Sequence, residues 1–214
     1  MDEDIAIINT NTRNEKIKNF FKKNKKKFLI LIVTLVTLLI IFFGYKEFEN
    51  IKKIDVSNYY NSTIIGFSEN TKIITTDRLI EIINRKDSTY SPLSLYFIID
   101  EELITERKKI NNLFNILIYE TSLEKEIKNL IIFKKGLFNA DQANENELLD
   151  ILKPLINSDS VWSSHALHLI AEFFYSKNQF QKSKEFFLKI IELDYANQDI
   201  RIEAQKRLNR DLSD

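Results

Sequence analysis

The chain has no cysteine, three glycines and two prolines in 214 residues, and each scarcity removes a class of answers. Without cysteine there is neither a disulfide framework nor a thiolate for a metal or redox centre. Gly44, Gly66 and Gly136 stand far apart, so no glycine-rich phosphate loop of the G-x-G-x-x-G or G-K-[ST] kind can be written. A many-stranded β domain needs a turn signal roughly every 8 to 12 residues. With only Pro92 and Pro154 to add to the glycines, those signals are missing, and an all-α fold is expected.

What the chain does have is one uninterrupted apolar run. From Phe28 to Tyr45, eighteen residues carry no charge, carboxamide or imidazole. A helix of that length rises about 27 Å, close to the ~30 Å hydrocarbon layer of a bilayer. Lys27 and Lys46 flank the run and can snorkel to the two surfaces. Thr34 and Thr37 can return their hydroxyls to backbone carbonyls of the preceding turn, so neither needs a partner in lipid. A cleavable secretion signal has a shorter apolar core, roughly 7 to 15 residues, and a small-x-small exit. Here the exit reads Phe43-Gly44-Tyr45-Lys46-Glu47-Phe48, bulky where a peptidase needs small residues, so the segment reads as a permanent anchor.

Basic residues set the orientation, because lysine and arginine resist translocation. The fifteen residues before the run hold eight of them, from Arg13 to Lys27, and the fifteen after it hold only Lys46, Lys52 and Lys53. The N-terminus is therefore expected in the cytoplasm, with 169 residues carried across. The net charge of zero hides this division: residues 1–27 carry +4 and the remainder −4. An acidic exported part argues against a nucleic-acid partner. Topology and anionic headgroups account for the lysine cluster.

The organisation that follows has five segments. Residues 1–12 are an unpatterned cytoplasmic tail, expected to be disordered. Residues 13–27 form a basic juxtamembrane helix with Ile17, Phe20 and Phe21 on one face, and residues 28–45 form the transmembrane helix. Residues 46–90 are a helical stalk, striped by Phe48, Ile51, Ile54, Val56, Tyr59 and Tyr60, and the first shorter helices. Residues 91–214 are the main exported domain.

Helix starts are signalled by Thr76 before Asp77, by Ser91-Pro92, and by the capping box Thr121-Ser122-Leu123-Glu124. Helices are expected over 144–157, with Pro154 bending the last turn, and over 160–176, 179–193 and 198–212. That makes about eight helices beyond the stalk.

Their alternation fits an α-solenoid of tetratricopeptide-like hairpins. Leu167, Ile170, Ala171 and Phe174 occupy the first helix of one repeat at the template spacing, followed by Ser183, Phe187 and Tyr195. Small residues, Ala171 and Ser183, fall where the paired helices must touch. Ile132, Gly136, Asn139, Leu148 and Leu152 repeat the spacing with weaker residues, and residues 94–117 fit only as a helix pair. The stripe Ile200, Ile202, Leu208 and Leu212 is expected to close the stack as a capping helix.

With the apolar run, the segment "KNFFKKN" and this last repeat in hand, the chain resembles the ancillary SecYEG translocon subunit family. The match covers roughly residues 13–212. The resemblance implies a single-pass protein of the bacterial inner membrane with a periplasmic tetratricopeptide-like domain. Its partners would be the SecYEG translocon, periplasmic chaperones and unfolded clients, with no enzymatic activity. The chain departs from the family at Ile99, Asn111 and Asn112, where helix contacts usually carry alanine.

His165, His168, Glu172 and Tyr175 form a polar stripe beside the repeat core. In proteins similar to this one the first helix of each repeat lines a concave, peptide-binding surface, so the stripe is a candidate partner groove; the alternative is a plain solvated face. His165, His168 and Glu172 spell H-x2-H-x3-E, but one helix alone cannot enclose an ion, so no metal is expected, nor any cofactor. The carboxylate runs Asp100-Glu101-Glu102 and Glu145 to Glu147 read as solvated faces. Ser163-Ser164-His165 lacks the setting of a nucleophile. Trp162 and the phenylalanines read as core. A second role fits the same architecture: an envelope scaffold for cell division or outer-membrane assembly, acting through self-association as a homo-oligomer.

Overall fold

The computed structural model describes the backbone from Asp2 to Leu212, and the side chains of Glu15, Lys16, Lys18 to Phe20 and Lys22 to Leu212. All the secondary structure among these residues is helical. Two compact units divide at residue 55.

The first unit is helix α1 (Asp2–Ile65) up to Asp55. No glycine or proline interrupts it before Gly44, and extending an existing helix costs far less than nucleating one. The tail expected to be disordered is accordingly helical from Asp2, while Met1 lies outside the described residues. Of the juxtamembrane face, Phe20 is exposed, and the side chains of Ile17 and Phe21 lie outside the described set.

The apolar side chains from Leu29 to Phe43 are 46–68% exposed, and an 18-residue window reaches a mean hydropathy of 2.8 with none of it buried. Water does not tolerate an apolar surface of that extent on a soluble monomer. The helix is long and apolar enough to cross a membrane. Thr34 and Thr37 donate their hydroxyls to the carbonyls of Ile30 and Val33, both at 2.9 Å, which satisfies the polar atoms of the run internally.

The second unit starts at Val56, and among the described residues eight further α-helices follow α1. They are α2 (Lys72–Asn84), α3 (Tyr90–Asp100), α4 (Arg107–Asn115), α5 (Lys125–Asn139), α6 (Glu145–Ile156), α7 (Ser163–Ser176), α8 (Phe180–Glu192) and α9 (Gln198–Asp211). A 3-10 turn (Glu69–Thr71) precedes α2, and a π-helical turn (Ile116–Glu120) extends α4. Val56 is buried and Tyr59 and Tyr60 pack on the core, whereas Phe48, Ile51 and Ile54 of the expected stripe are exposed.

Several starts differ from those the sequence signals. Helix α2 begins at Lys72 rather than after Thr76, whose hydroxyl instead donates to the Lys72 carbonyl at 2.7 Å. Before α3 the capping acceptor is Asp87, which takes the amides of Thr89 and Tyr90 at 2.8 and 2.7 Å. Ser91 crosses to the Ile82 carbonyl. The Thr121 capping box does not form: Glu124 accepts from the Ile127 amide, and Thr121 closes the π turn on the Ile116 carbonyl. Helix α6 follows its signal, with Asn144 capping Glu147 at 3.0 Å and Pro154 in the last turn.

Each helix from α2 onward packs on the next, and α7 also meets α5 and α9. Leu167, Ile170, Ala171, Phe174, Ser183 and Phe187 are all buried. They straddle two apolar clusters: Ile170 and Phe174 join the larger one, while Leu167, Ala171 and Phe187 join the smaller one shared with α9. On α9 the inward residues are Ile200, Ala204 and Leu208, spaced by four; Ile202, expected in that stripe, is exposed.

Gly136 marks a close crossing of α5 and α6. A Cβ there would stand 2.5 Å from Leu152 Cδ2, so α5 approaches α6 only because position 136 has no side chain. Gly136→Ala gains roughly 1 kcal/mol of helix propensity but overpacks a fully buried leucine, which costs about 1–3 kcal/mol. A net loss is expected, read as a lower urea midpoint in the fluorescence of Trp162, the single tryptophan. The second change Leu152→Val should restore it.

Candidate partner-binding site

The stripe on α7 is made by a helix whose opposite side is core. Ala166, Ile170, Phe173 and Phe174 are buried, which turns His165, His168, Glu172 and Tyr175 toward the flanks, where all four are half-buried. His165 sits edge-on to Phe133 at 5.8 Å and against Trp162 at 5.2 Å. His168 meets the ring of Phe187 at 5.6 Å, and burial pushes its imidazole below the usual titration range. Its Nε2 is 3.9 Å from Glu172 Oε1.

Glu172 is engaged by α9. Arg207 donates from Nε to Glu172 Oε1 at 2.7 Å and from Nη2 to the other oxygen, while its Nη1 holds Asp211 at 2.7 Å. The same guanidinium lies 4.7 Å from the centre of the Tyr175 ring. Hydrogen bonds to these two carboxylates hold Arg207 above its ordinary pKa. The four residues thus serve two internal contacts, His165 toward α5 and the other three toward α8 and α9. Among the described residues no group of three or more His, Cys, Asp or Glu is placed to hold a metal ion.

An open cleft of about 590 Å³ exists elsewhere, lined by α4 (Arg107, Lys108, Asn111, Asn112), α5 (Lys135) and α6 (Glu147, Asp150, Ile151). Two of its lining residues, Arg107 and Asn111, belong to a polar network around Asn139, a fully buried carboxamide. Asn139 exchanges two hydrogen bonds with Asn111, both at 2.9 Å, accepts from Arg107 Nε at 2.7 Å and donates to the Lys135 carbonyl at 2.7 Å. Arg107 also holds Glu147 at 2.9 Å, so that α4 and α6 meet across α5 through this ion pair. Every hydrogen-bonding site of the buried amide is occupied, which makes the network stiff.

Lys135 also lines the cleft. Its ammonium donates to Asn115 Oδ1 at 2.8 Å, and burial lowers its pKa against the opposing charge of Glu147. The cleft was not singled out from sequence, although a signal existed. Asn111 and Asn139 both stand where the hairpin spacing calls for small or apolar residues, and two carboxamides at facing core positions are best satisfied by each other.

No family model, curated protein or solved structure matches this chain.

Proposed function

We propose that this chain is a single-pass protein of a bacterial inner membrane, N-terminus in the cytoplasm, whose helical domain binds other polypeptides in the periplasm. In this reading it sits beside the SecYEG translocon and helps pass newly translocated chains to chaperones. The helices after α1 form a short solenoid of tetratricopeptide-like hairpins closed by α9.

One observation carries the reading: a membrane-length helix, strongly basic on one side, continues into hairpins whose contact residues Ala171 and Ser183 are fully buried at repeat spacing. Stacks of that kind offer surface rather than reactive groups, and anchoring one at a membrane raises its effective concentration for chains emerging nearby. The resemblance in the "KNFFKKN" segment and in the order of segments supports the translocon as the neighbour.

Topology is tested first. Protease added to spheroplasts is expected to remove residues 46–214 while leaving the lysine-rich end protected. A C-terminal domain that survives until the cells are lysed overturns the reading. Affinity purification of the full chain from mild detergent is then expected to recover translocon subunits. A homo-oligomer recovered without them, and with no affinity for unfolded chains, would favour the scaffold.

A further inference from the structure

We propose that the cleft between α4 and α6 is a carboxylate-binding site, with Lys135 and Lys108 as its cations and an acidic stretch of polypeptide as its ligand. The proposal rests on the peptide-binding reading above and adds the surface and the chemistry.

Lys135 is the reason. It is half-buried, and its hydrogen-bond partner is a neutral amide. Among the described residues it forms no ion pair: the nearby carboxylate of Glu147 is held by Arg107. A cation partly withdrawn from water, whose nearby carboxylate is paired with an arginine, is incompletely compensated, and an incoming anion relieves that cost. The lowered pKa of Lys135 reports the same strain.

The walls indicate what kind of anion fits. Arg107 is committed to Asn139 and Glu147, so it shapes the site without being free to capture a ligand. Lys108, on the same helix, is exposed and unpaired among the described residues, and it can share the anion with Lys135. The α6 wall carries Asp150, also exposed, an acceptor facing two cations. A ligand matching both walls bears a carboxylate on one side and an N–H donor on the other. A backbone with acidic side chains has this pairing at every such residue, whereas a fully deprotonated inorganic anion offers Asp150 no donor. The volume suits a short segment or a small organic acid. The π turn directly after Asn115 is a further mark, since such irregularities cluster at functional sites.

The test uses the full chain in nanodiscs with a hexaglutamate peptide and a carbodiimide, which joins a carboxylate to an amine in contact with it, followed by peptide mapping. Crosslinks at Lys108 and Lys135 are expected. Links at Lys22 to Lys27, where the exposed lysines attract any polyanion, serve as the internal reference. Lys135→Gln keeps a donor for Asn115 but removes the charge. It is expected to lower the Lys108 link about tenfold, the worth of one charge-assisted hydrogen bond, with the reference links unchanged.

Asp150→Asn keeps an acceptor oxygen for the ligand's N–H but removes a charge that opposes its carboxylates, and it is expected to raise the Lys108 link, a gain that misfolding cannot produce. Excess succinate that abolishes the link at concentrations similar to the peptide assigns the site to a small organic acid; persistence of the link assigns it to polypeptide. Links confined to Lys22–Lys27, or a Lys108 link indifferent to Lys135→Gln, overturn the site. If translocon subunits still copurify in that case, the cleft alone has failed and the proposed function stands.

Discussion

Phe187→Ala is expected to detach the C-terminal end of the domain while the rest stays folded. Phe187 is fully buried in the smaller apolar cluster, against Leu167 and Ala171 of α7 and Ala204 and Leu208 of α9. Truncating a buried phenylalanine to alanine costs about 3–5 kcal/mol, through lost transfer free energy and the cavity left behind. A whole domain has roughly 5–15 kcal/mol to lose, so one side chain accounts for a large share.

The loss should be local, because the larger cluster does not include Phe187 and holds Ile131, Leu148 and Leu152 without it. Hydrogen exchange measures this directly. Amides of α8 and α9 are expected to lose protection, while those of α5 and α6 keep theirs. Phe187→Leu, which fills most of the volume, should recover more than half of the loss. Uniform loosening across α5 to α9 would mean that the two clusters melt as one.

How far the sequence could be read depended on the range of the interaction that decides each feature. The membrane-length helix depends on one contiguous run, and the hydroxyls of Thr34 and Thr37 find acceptors four residues away, so local chemistry suffices. Hairpin contacts are nearly as local: Ala171 and Ser183 lie on consecutive helices, and both are fully buried.

Helix starts were less legible for a different reason. Hydroxyl side chains have several acceptors within reach, and the winning partner depends on the turn next door. Thr76 bonds back along its own helix, Ser91 crosses to the previous one, and Thr121 closes a π turn; none acts as a cap.

The α7 stripe required knowing where a distant helix lies. Glu172 and Arg207 are 35 residues apart, and nothing in the spacing of α7 reveals that α9 folds over it. The isolation of Lys135 is harder still to foresee. It follows from the capture of Glu147 by Arg107, 40 residues away, an interaction that involves neither the lysine nor its helix. Features made by neighbours in the chain are visible in the residues; features made by what a third helix removes are visible only in the fold.

Asn139→Leu tests the network at the cleft, and a loss of about 3 kcal/mol is expected. Leucine keeps the branching of the amide but is bulkier, so some overpacking adds to the cost of the polar groups left behind. The Asn111 carboxamide loses a partner for its N–H and for its oxygen, and Arg107 Nε loses its acceptor. Leaving buried groups of this kind unsatisfied costs about 1–3 kcal/mol apiece, less where water can reach, as at half-buried Asn111.

The pair then makes a sharper prediction. Replacing both amides, Asn111→Leu with Asn139→Leu, removes donors and acceptors together, so the double variant is expected to be more stable than Asn139→Leu alone by about 1–2 kcal/mol. Urea midpoints from Trp162 fluorescence give the comparison. A double variant no more stable than the single one would show that the two carboxamides do not act as a unit. The network that holds Arg107 on Glu147, and thereby keeps that carboxylate paired away from Lys135, would then need another source of rigidity.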